Sequence, residues 1–245
     1  MHLIIEFSSK EPIRLPLPYN HILQGFIYST MDDELAEFLH GQGYGTGRKF
    51  KVFACSNIMG KAKAEKGYIQ FGKKITIEIS SPVIELCESF ANGLFKKQLK
   101  LGQNEVEVSS IKIDKHEVNG NSIKVKTLSP IVAYSTMLRP DGSKYTCYFH
   151  PDESDFKRIA SENLRKKYTA FTKTEAPKED IDIKPLDKPK LSVINYKNTI
   201  IKGYSGIFEL TGPRELLQMA IDAGLGSKNS QCFGLIRLYD FASHN

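Results

Sequence analysis

The predicted helices and strands of this 245-residue chain occur in the same order twice, which limits the folds open to it. The first half is predicted to contain a strand at 2–8, a helical region at 19–40, strands at 48–56 and 67–80, a helix at 82–97 and a strand at 105–118. The second half is predicted to contain a strand at 122–134, a hairpin around 140–142, a helix at 153–170, strands within 190–211, a helix at 213–223 and a strand at 232–239. Each half therefore has the order β-α-β-β-α-β.

The helix predicted at 82–97 shows the pattern most clearly. Pro82 suits the first turn of a helix. Six apolar residues fall on one face of it: Val83, Ile84, Leu86, Cys87, Phe90 and Leu94. We therefore predict an α+β protein with two tandem ferredoxin-like (RRM-like) domains, each an antiparallel sheet with helices on one face. The domains are predicted at 1–119 and 120–245, with the boundary at Asn119-Gly120-Asn121, and residues 172–190 are predicted to be an exposed loop.

The composition is that of an ordinary globular protein, with 40% hydrophobic and 25% charged residues. No apolar run approaches the ~20 residues that a membrane-spanning helix needs, so no membrane association is expected. The first seven residues have the pattern of a strand and lack the basic segment of a secretory signal, which predicts a cytoplasmic protein.

Four cysteines are spread widely along the chain: Cys55, Cys87, Cys147 and Cys232. They form no Cys-x-x-Cys pair, and the histidines are not clustered in the sequence. This spacing argues against a zinc site and against a disulfide framework. We therefore expect four free thiols, no bound metal and no other cofactor.

The positive charge is concentrated in the second half of the chain. The net charge is +6 and the isoelectric point is about 9.0. Residues 1–120 hold 15 lysines and arginines against 14 acidic residues, whereas residues 121–245 hold 19 against 14. An excess of this kind favours a polyanionic partner such as a nucleic acid, although solvated helix faces explain part of it nearly as well.

A glycine-rich segment at 224–234 separates the predicted helix at 213–223 from the last predicted strand. Gly224, Gly226 and Gly234 permit positive φ and a close approach of the backbone. The side chains between them offer hydroxyl, ammonium and amide groups: Ser227, Lys228, Asn229 and Ser230. Such a loop suits a phosphate backbone, but a helix C-cap at Gly224 followed by a tight turn explains it equally well. The mononucleotide and dinucleotide fingerprints do not fit, because the loop follows a helix and lacks Gly-Lys-Ser/Thr.

Several short motifs, taken in order, resemble one known family. They are Leu17-Pro18-Tyr19-Asn20, Leu23 to Tyr28, Phe53-Ala54-Cys55-Ser56, Leu128-Ser129-Pro130-Ile131 and the terminal Gly-x-Gly-x7-Gly loop. Together they cover nearly the whole chain. On these residues the chain resembles a CRISPR-associated precursor-crRNA-processing endoribonuclease of the repeat-associated RNA-binding superfamily.

This resemblance implies metal-independent cleavage of repeat RNA by its own 2'-hydroxyl, giving 2',3'-cyclic phosphate and 5'-hydroxyl ends. The positions that match the family's catalytic residues are Tyr28, His40 and Lys51. Imidazole is a natural general acid near neutrality, a lysine stabilises charge on the phosphate, and a phenol orients the 2'-hydroxyl. Lys49 and Arg48 are rivals of Lys51, and they are predicted to bind RNA together with the glycine-rich loop. The resemblance also allows a homodimer and association with a CRISPR effector complex.

Tyr28 and His40 lie too far apart to share a phosphate if one straight helix carries both. Twelve residues of helix rise about 18 Å and turn by roughly 120°. The catalytic interpretation therefore requires a break at Asp32-Asp33, followed by a short helix at 34–39 that ends at Gly41. Without the break, His40 is an exposed helix-end residue and Tyr28 a half-buried packing residue. A non-catalytic RNA-binding subunit of an effector complex is then the alternative function.

Overall fold

The computed structural model describes residues 1–239, and its first half contains eight strands and three α-helices. The strands are β1 (His2–Ser8), β2 (Arg14–Pro16), β3 (Ala54–Cys55), β4 (Ala62–Glu65), β5 (Tyr68–Phe71), β6 (Lys74–Ser80), β7 (Leu99–Leu101) and β8 (Asn104–Asp114). The helices are α1 (Asn20–Thr30), α2 (Asp33–Glu37) and α3 (Ile84–Lys96). A π-helical turn (Phe38–Gln42) continues α2.

The second half contains eight strands and two α-helices within the described residues. The strands are β9 (Ser122–Thr127), β10 (Tyr134–Leu138), β11 (Lys144–Tyr148), β12 (Asp182–Pro185), β13 (Lys190–Tyr196), β14 (Thr199–Ser205), β15 (Ile207–Thr211) and β16 (Ile236–Leu238). The helices are α4 (Ser154–Thr172) and α5 (Arg214–Ala223). A single 3-10 turn (Asn229–Gln231) lies between α5 and β16.

Two antiparallel sheets form the framework, one in each half. The first has the order β3-β6-β1-β8-β7 and the second the order β12-β15-β9-β16. If the four main strands of each half are numbered along the chain, both sheets have the order 2-3-1-4. This common topology, with two helical connections in each repeat, confirms the predicted α+β fold of two ferredoxin-like halves.

Alternation along the strands places apolar side chains in the core. In β1, the buried residues Leu3, Ile5 and Phe7 alternate with more exposed neighbours, as expected of a strand with one face in the core. In α3, the helical stripe contributes Leu86, Cys87, Phe90 and Leu94 to the same core, whereas Ile84 is 58% exposed. The stripe predicted for this helix was therefore wrong at Ile84.

Several predicted segments differ from the structure; the strand predicted at 122–134, for example, ends at Thr127. The strand predicted at 48–56 is reduced to Ala54–Cys55, because Val52 adopts a φ of 44°, which no extended strand accommodates. The strand predicted at 232–239 begins only at Ile236, after the 3-10 turn and the positive φ of Cys232. The segment predicted as an exposed loop at 172–190 contains β12, an edge strand of the second sheet.

The two halves are joined by buried polar contacts and by a covalent bond. The amino group of Met1 lies 2.9 Å from Asp222 Oδ1, and Arg237 makes a salt bridge with the buried Glu78. A disulfide joins Cys55 of β3 to Cys232 of the glycine-rich segment, with the Cα atoms 4.6 Å apart. The prediction of four free thiols was therefore wrong for this pair, whereas Cys87 and Cys147 are free.

The helices of the described residues, 1–239, give no candidate for a membrane span, since none combines the required length and hydropathy. The domain boundary predicted at 119–121 falls between β8 and β9, and it stays a prediction.

Candidate functional site

A break in the helical region brings Tyr28 and His40 together. Helix α1 ends at Thr30, and Asp32 is the N-cap position of α2, so the chain changes direction where the sequence predicted. The short helix continues as a π-helical turn that carries His40. The rings of Tyr28 and His40 are 6.3 Å apart, edge to face. One straight helix would have separated them.

The end of this second helix differs from the prediction. The turn closes at Gly43, with a φ of 62°, and not at Gly41. A Cβ atom at Gly43 would lie 2.6 Å from the carbonyl oxygen of Phe50, so the position needs glycine both for conformation and for space. The close approach brings residues 50–51 beside the turn that carries His40.

Lys51 is the cation that the structure places beside His40. Its ammonium donates a hydrogen bond to the carbonyl oxygen of His40 over 2.9 Å. Partial burial, and then the nearby charge of Lys49, lower the pKa of Lys51. Lys49 instead donates to the carbonyl of Gly45, and the Arg48 guanidinium lies 5.3 Å from the centre of the Phe50 ring. The Arg48 and Lys49 side chains are both exposed, near the segment that carries Lys51.

The backbone next to Lys51 is strained. Val52 is β-branched and has a positive φ, a combination that costs of order 1–3 kcal/mol. The residue is buried, and its carbonyl accepts a hydrogen bond from Ser81 Oγ over 2.9 Å. The surrounding packing therefore holds a conformation that turns this segment out of the sheet and toward His40.

Tyr28 is a neutral phenol at any pH near 7. Burial raises its pKa to about 12, and hydrogen bonding with the Ser230 side chain opposes this shift without cancelling it. The ring also packs 5.9 Å from the ring of Phe53. A phenol in this environment is suited to donate or accept a hydrogen bond and unsuited to act as an ionised base.

The glycine-rich segment is a tightly packed structure. Gly224, Gly226 and Gly234 all have positive φ, at 80°, 72° and 69°. A Cβ atom would lie 2.6 Å from the Val132 carbonyl at Gly226, and 2.0 Å from the Leu225 carbonyl at Gly234. Gly224 is the C-cap of α5. The local fold thus requires all three glycines. At Gly224 this agrees with the alternative interpretation from the sequence, a helix C-cap.

The four polar side chains of this segment divide into two pairs. Ser227 and Asn229 are buried, and Asn229 Nδ2 donates to the carbonyls of Leu225 and Phe233, both over 3.1 Å. Lys228 and Ser230 are partly exposed. The Lys228 ammonium lies 5.1 Å from the centre of the Tyr134 ring, and burial lowers its pKa. The second pair is therefore the more accessible to a ligand, although all four residues line the same cavity.

A cavity of about 240 Å³ lies between the His40-bearing half and the glycine-rich segment. Five basic side chains line it: Arg48, Lys49, Lys51, Lys167 and Lys228. None of its lining residues is acidic. Ser230, whose side chain interacts with the Tyr28 phenol, also lies in the wall, so the cavity adjoins the Tyr28 and His40 pair. This distribution of charge fits a phosphate-bearing ligand.

A wider cavity of about 770 Å³ lies beside the first, between residues 45–50 and helix α4. The two cavities share Arg48 and Phe50. Its wall contains further cations: Arg165, Lys166 and Lys173. The two adjoining cavities together form a basic surface that is larger than one phosphate group would need.

Lys167 is the functional-site residue that the sequence analysis missed. It lies in α4, buried, with its ammonium against the glycine-rich segment. A signal was available, because Lys167 follows Ala160 and Leu164 at the spacing of an apolar helical stripe. A lysine at such a position is expected either to be paired or to have a function.

The fold also assembles a cluster of metal-ligating residue types that the sequence spacing concealed. Candidate ligand atoms of His2, Glu78 and His116 lie within 4.8 Å of one another. Two histidines that lie far apart in the sequence, His2 and His116, therefore meet in the fold, with ring centres 4.6 Å apart. The Glu78 carboxylate is engaged by His2 over 2.7 Å and by Arg237, and these contacts lower its pKa despite burial. None of the three residues lines the basic cavities.

Comparison with known proteins assigns both halves of the chain to one pair of family models. Residues 14–112 match the model described as CRISPR-associated protein Cas6, N-terminal. Residues 113–238 match the model described as CRISPR associated protein Cas6, C-terminal. The two matches are consecutive, and together they account for nearly all of the described chain.

Individual relatives agree with the family models. The chain is 31% identical over 230 residues to CRISPR-associated endoribonuclease Cas6 1 of Methanocaldococcus jannaschii. This alignment covers 90% of this chain and 86% of that protein. It is 29% identical to CRISPR-associated endoribonuclease Cas6 of Pyrococcus furiosus, over 91% of this chain and 83% of that protein. A solved structure titled CRISPR associated protein Cas6 superposes with a TM-score of 0.79 at 26% identity, over 98% of this chain and 99% of that one.

Proposed function

Because this chain belongs to the Cas6 family of CRISPR-associated proteins, we propose that it is an endoribonuclease that cuts CRISPR repeat RNA within precursor crRNA. The cut is made by the 2'-hydroxyl next to the scissile phosphate, and it leaves 2',3'-cyclic phosphate and 5'-hydroxyl ends. The observation that carries this proposal is the convergence of Tyr28, His40 and Lys51, from three separate segments, beside a cavity lined by cations.

In this mechanism His40 is the general acid. It is exposed on the π-helical turn, where RNA can reach it, and its ring faces the phenol of Tyr28. Departure of the 5'-oxygen requires a proton, and an imidazolium supplies one near neutral pH. The new bond joins the 2'-oxygen to phosphorus and the bond to the 5'-oxygen breaks. The proton of the attacking 2'-hydroxyl passes to solvent water, and the transfer from His40 leaves neutral imidazole and a 5'-hydroxyl product.

Lys51 and Tyr28 have supporting roles. The Lys51 ammonium offers positive charge to the nonbridging oxygens as negative charge develops in the transition state. Its hydrogen bond to the His40 carbonyl fixes the spacing between these two groups. Tyr28, whose pKa is about 12, orients the 2'-hydroxyl as a neutral phenol and does not deprotonate it.

We propose that the mechanism needs no metal ion. The nucleophile is part of the substrate, and an imidazole and an ammonium supply the proton and the charge stabilisation for which other nucleases use a metal. The His2, Glu78 and His116 cluster does not contribute, because it lies outside the basic cavities and its carboxylate is held by Arg237.

RNA binding is assigned to both basic cavities. Lys228 and Ser230 present an ammonium and a hydroxyl from the glycine-rich segment, and Arg48 and Lys49 stand at the opposite wall. Residues 1–119 are thus proposed to carry the catalytic groups, and residues 120–245 most of the binding groups. A homodimer and an association with a CRISPR effector complex are proposals that follow from the resemblance alone, and a cytoplasmic location stays an expectation of the sequence.

The decisive experiment uses repeat RNA incubated with the protein in EDTA. Cleavage is expected to proceed, with a cyclic phosphate on the upstream product. A single 2'-deoxy substitution before the cut is expected to abolish cleavage and to leave binding intact. Cleavage of the deoxy substrate would refute the mechanism, and binding without any cleavage of the unmodified RNA would favour the non-catalytic subunit.

A further inference from the structure

Lys167 carries a charge into a part of the molecule where a charge is costly. Its exposed fraction is 3%. The ammonium donates to the Gly224 carbonyl and to Asn229 Oδ1, both over 2.6 Å, and to the Gly226 carbonyl over 3.2 Å. Every acceptor that it reaches within residues 1–239 is an uncharged oxygen. A buried ammonium without an anionic partner is held against a large desolvation penalty.

The surroundings of Lys167 increase this penalty. Burial, and to a smaller extent the charge of Arg48, lower the pKa of Lys167 to about 7. The cavity that it lines contains four further cations and no carboxylate within the described chain. The neighbouring cations and the burial therefore disfavour the protonated form of Lys167, and an anion bound in the cavity would favour it.

The same cavity wall holds acceptors that a nucleotide can satisfy. Asn163 Oδ1 and Gln231 Oε1 are buried and have no hydrogen-bond partner within residues 1–239. Both are oxygens, so they need donors. The ribose hydroxyls and base amino groups of RNA supply several donors, whereas a phosphodiester group by itself has none to offer.

A chain of contacts connects Lys167 to the catalytic residues. Lys167 fixes Asn229 Oδ1, and the amide nitrogen of Asn229 holds the carbonyls of Leu225 and Phe233. The side chain of the next residue, Ser230, lies close enough to the Tyr28 phenol to oppose the rise in its pKa. The position of Ser230, and through it the phenol, depends on the loop that the ammonium fastens.

We propose that Lys167 is a positioning residue for RNA cleavage, whose ammonium fastens loop 224–231 under the cavity and is held in its protonated form by an RNA phosphate. This inference rests on the proposed function, because it takes RNA as the ligand of the cavity. RNA binding is then coupled to proton uptake by Lys167. Affinity falls as the pH rises through the range in which free Lys167 loses its proton.

Other titratable groups face the same cavity and must be separated from Lys167. Lys228, Lys51 and Lys49 line its walls, with Arg48 at the rim, and His40 lies beside Tyr28. Burial also lowers the pKa of Lys51 and of Lys228. The test is therefore made in a His40→Ala protein, which removes the imidazole and allows uncleaved repeat RNA to be used.

Titration calorimetry of repeat RNA against His40→Ala, in two buffers of different ionisation enthalpy, measures the protons taken up. Between pH 7 and 9 we expect uptake approaching one proton, and an affinity that falls by up to tenfold per pH unit. Adding Lys167→Met should abolish most of this uptake. Adding Lys228→Met, a matched loss of charge from the same cavity, should weaken binding and keep the uptake.

Two results would overturn the inference. One is unchanged proton uptake in a folded Lys167→Met protein, with folding checked by circular dichroism. The other is the absence of uptake in the His40→Ala protein itself, a measurement that does not depend on the folding of the Lys167 variant. A protein that binds no repeat RNA at any pH would refute the proposed function as well, whereas binding without proton uptake would refute only the role of Lys167.

Discussion

Replacement of His40 by alanine separates a catalytic histidine from an exposed residue at the end of a helical turn. The side chain of His40 contacts the Tyr28 ring, whereas Lys51 bonds to its backbone carbonyl. Alanine keeps that carbonyl, so the position of Lys51 should be preserved. The substitution therefore removes the imidazole and little else.

The expected effect on rate is large and the expected effect on stability is small. Loss of a general acid lowers the rate by roughly 10² to 10⁴-fold, which corresponds to about 2.7 to 5.4 kcal/mol in the free energy of the transition state. An exposed cation at the end of a helix contributes at most about 1 kcal/mol to folding. His40→Ala should thus fold and bind RNA normally while cutting slowly.

Single-turnover cleavage at saturating enzyme measures this effect without interference from product release. Filter binding with the 2'-deoxy substrate gives the affinity in parallel. His21→Ala is the matched control, since His21 is an exposed histidine of α1 that contacts neither Tyr28 nor Lys51 in the described structure. A His40→Ala rate within about threefold of wild type would refute the assignment of the acid.

Three further predictions follow from the contacts of the candidate site and from the disulfide that joins the two halves of the chain. Tyr28→Phe should lower the single-turnover rate less than His40→Ala does, and the wild-type rate should show no ionisation of Tyr28 below about pH 10, because its pKa is about 12. Lys51→Ala should lower both rate and affinity, measured by the same two assays, because an ammonium beside the phosphate contributes to both. Cys232→Ser removes the disulfide, which closes a loop with a sequence separation of 177, and on the chain-entropy estimate it should lower the free energy of unfolding by about 5 kcal/mol. Adding reductant to the wild-type protein should lower its melting temperature by a matching amount.

The elements that the sequence predicted well are those with local patterns. Helices α3, α4 and α5 repeat apolar residues at helical spacing, and α5 is preceded by Pro213 as its N-cap. Strand β1 alternates between buried and more exposed residues from Leu3 to Ser8. Periodicity depends only on neighbours along the chain, so it is visible without the fold.

Local patterns failed where long-range contacts determine the backbone. Residues 48–56 alternate like a strand, yet Val52 is held at positive φ by its burial and by the hydrogen bond from Ser81. Gly43, and not Gly41, ends the second helical segment because only Gly43 meets the Phe50 carbonyl. Ser81 is 29 residues from Val52, and Phe50 approaches Gly43 only because the chain folds back between them, so local periodicity could predict neither contact.

The candidate site shows the same division between local and long-range information. The break after α1 is signalled locally by two aspartates, and it is what allows Tyr28 and His40 to meet. The disulfide partner of Cys232 and the acceptors of Lys167 are set by the packing of one half against the other. A lysine at an apolar helical position indicates that some compensation exists, but the loop that supplies it lies more than fifty residues further along the chain. The identity of a buried cation's partners therefore requires the fold, even where the sequence indicates that such partners exist.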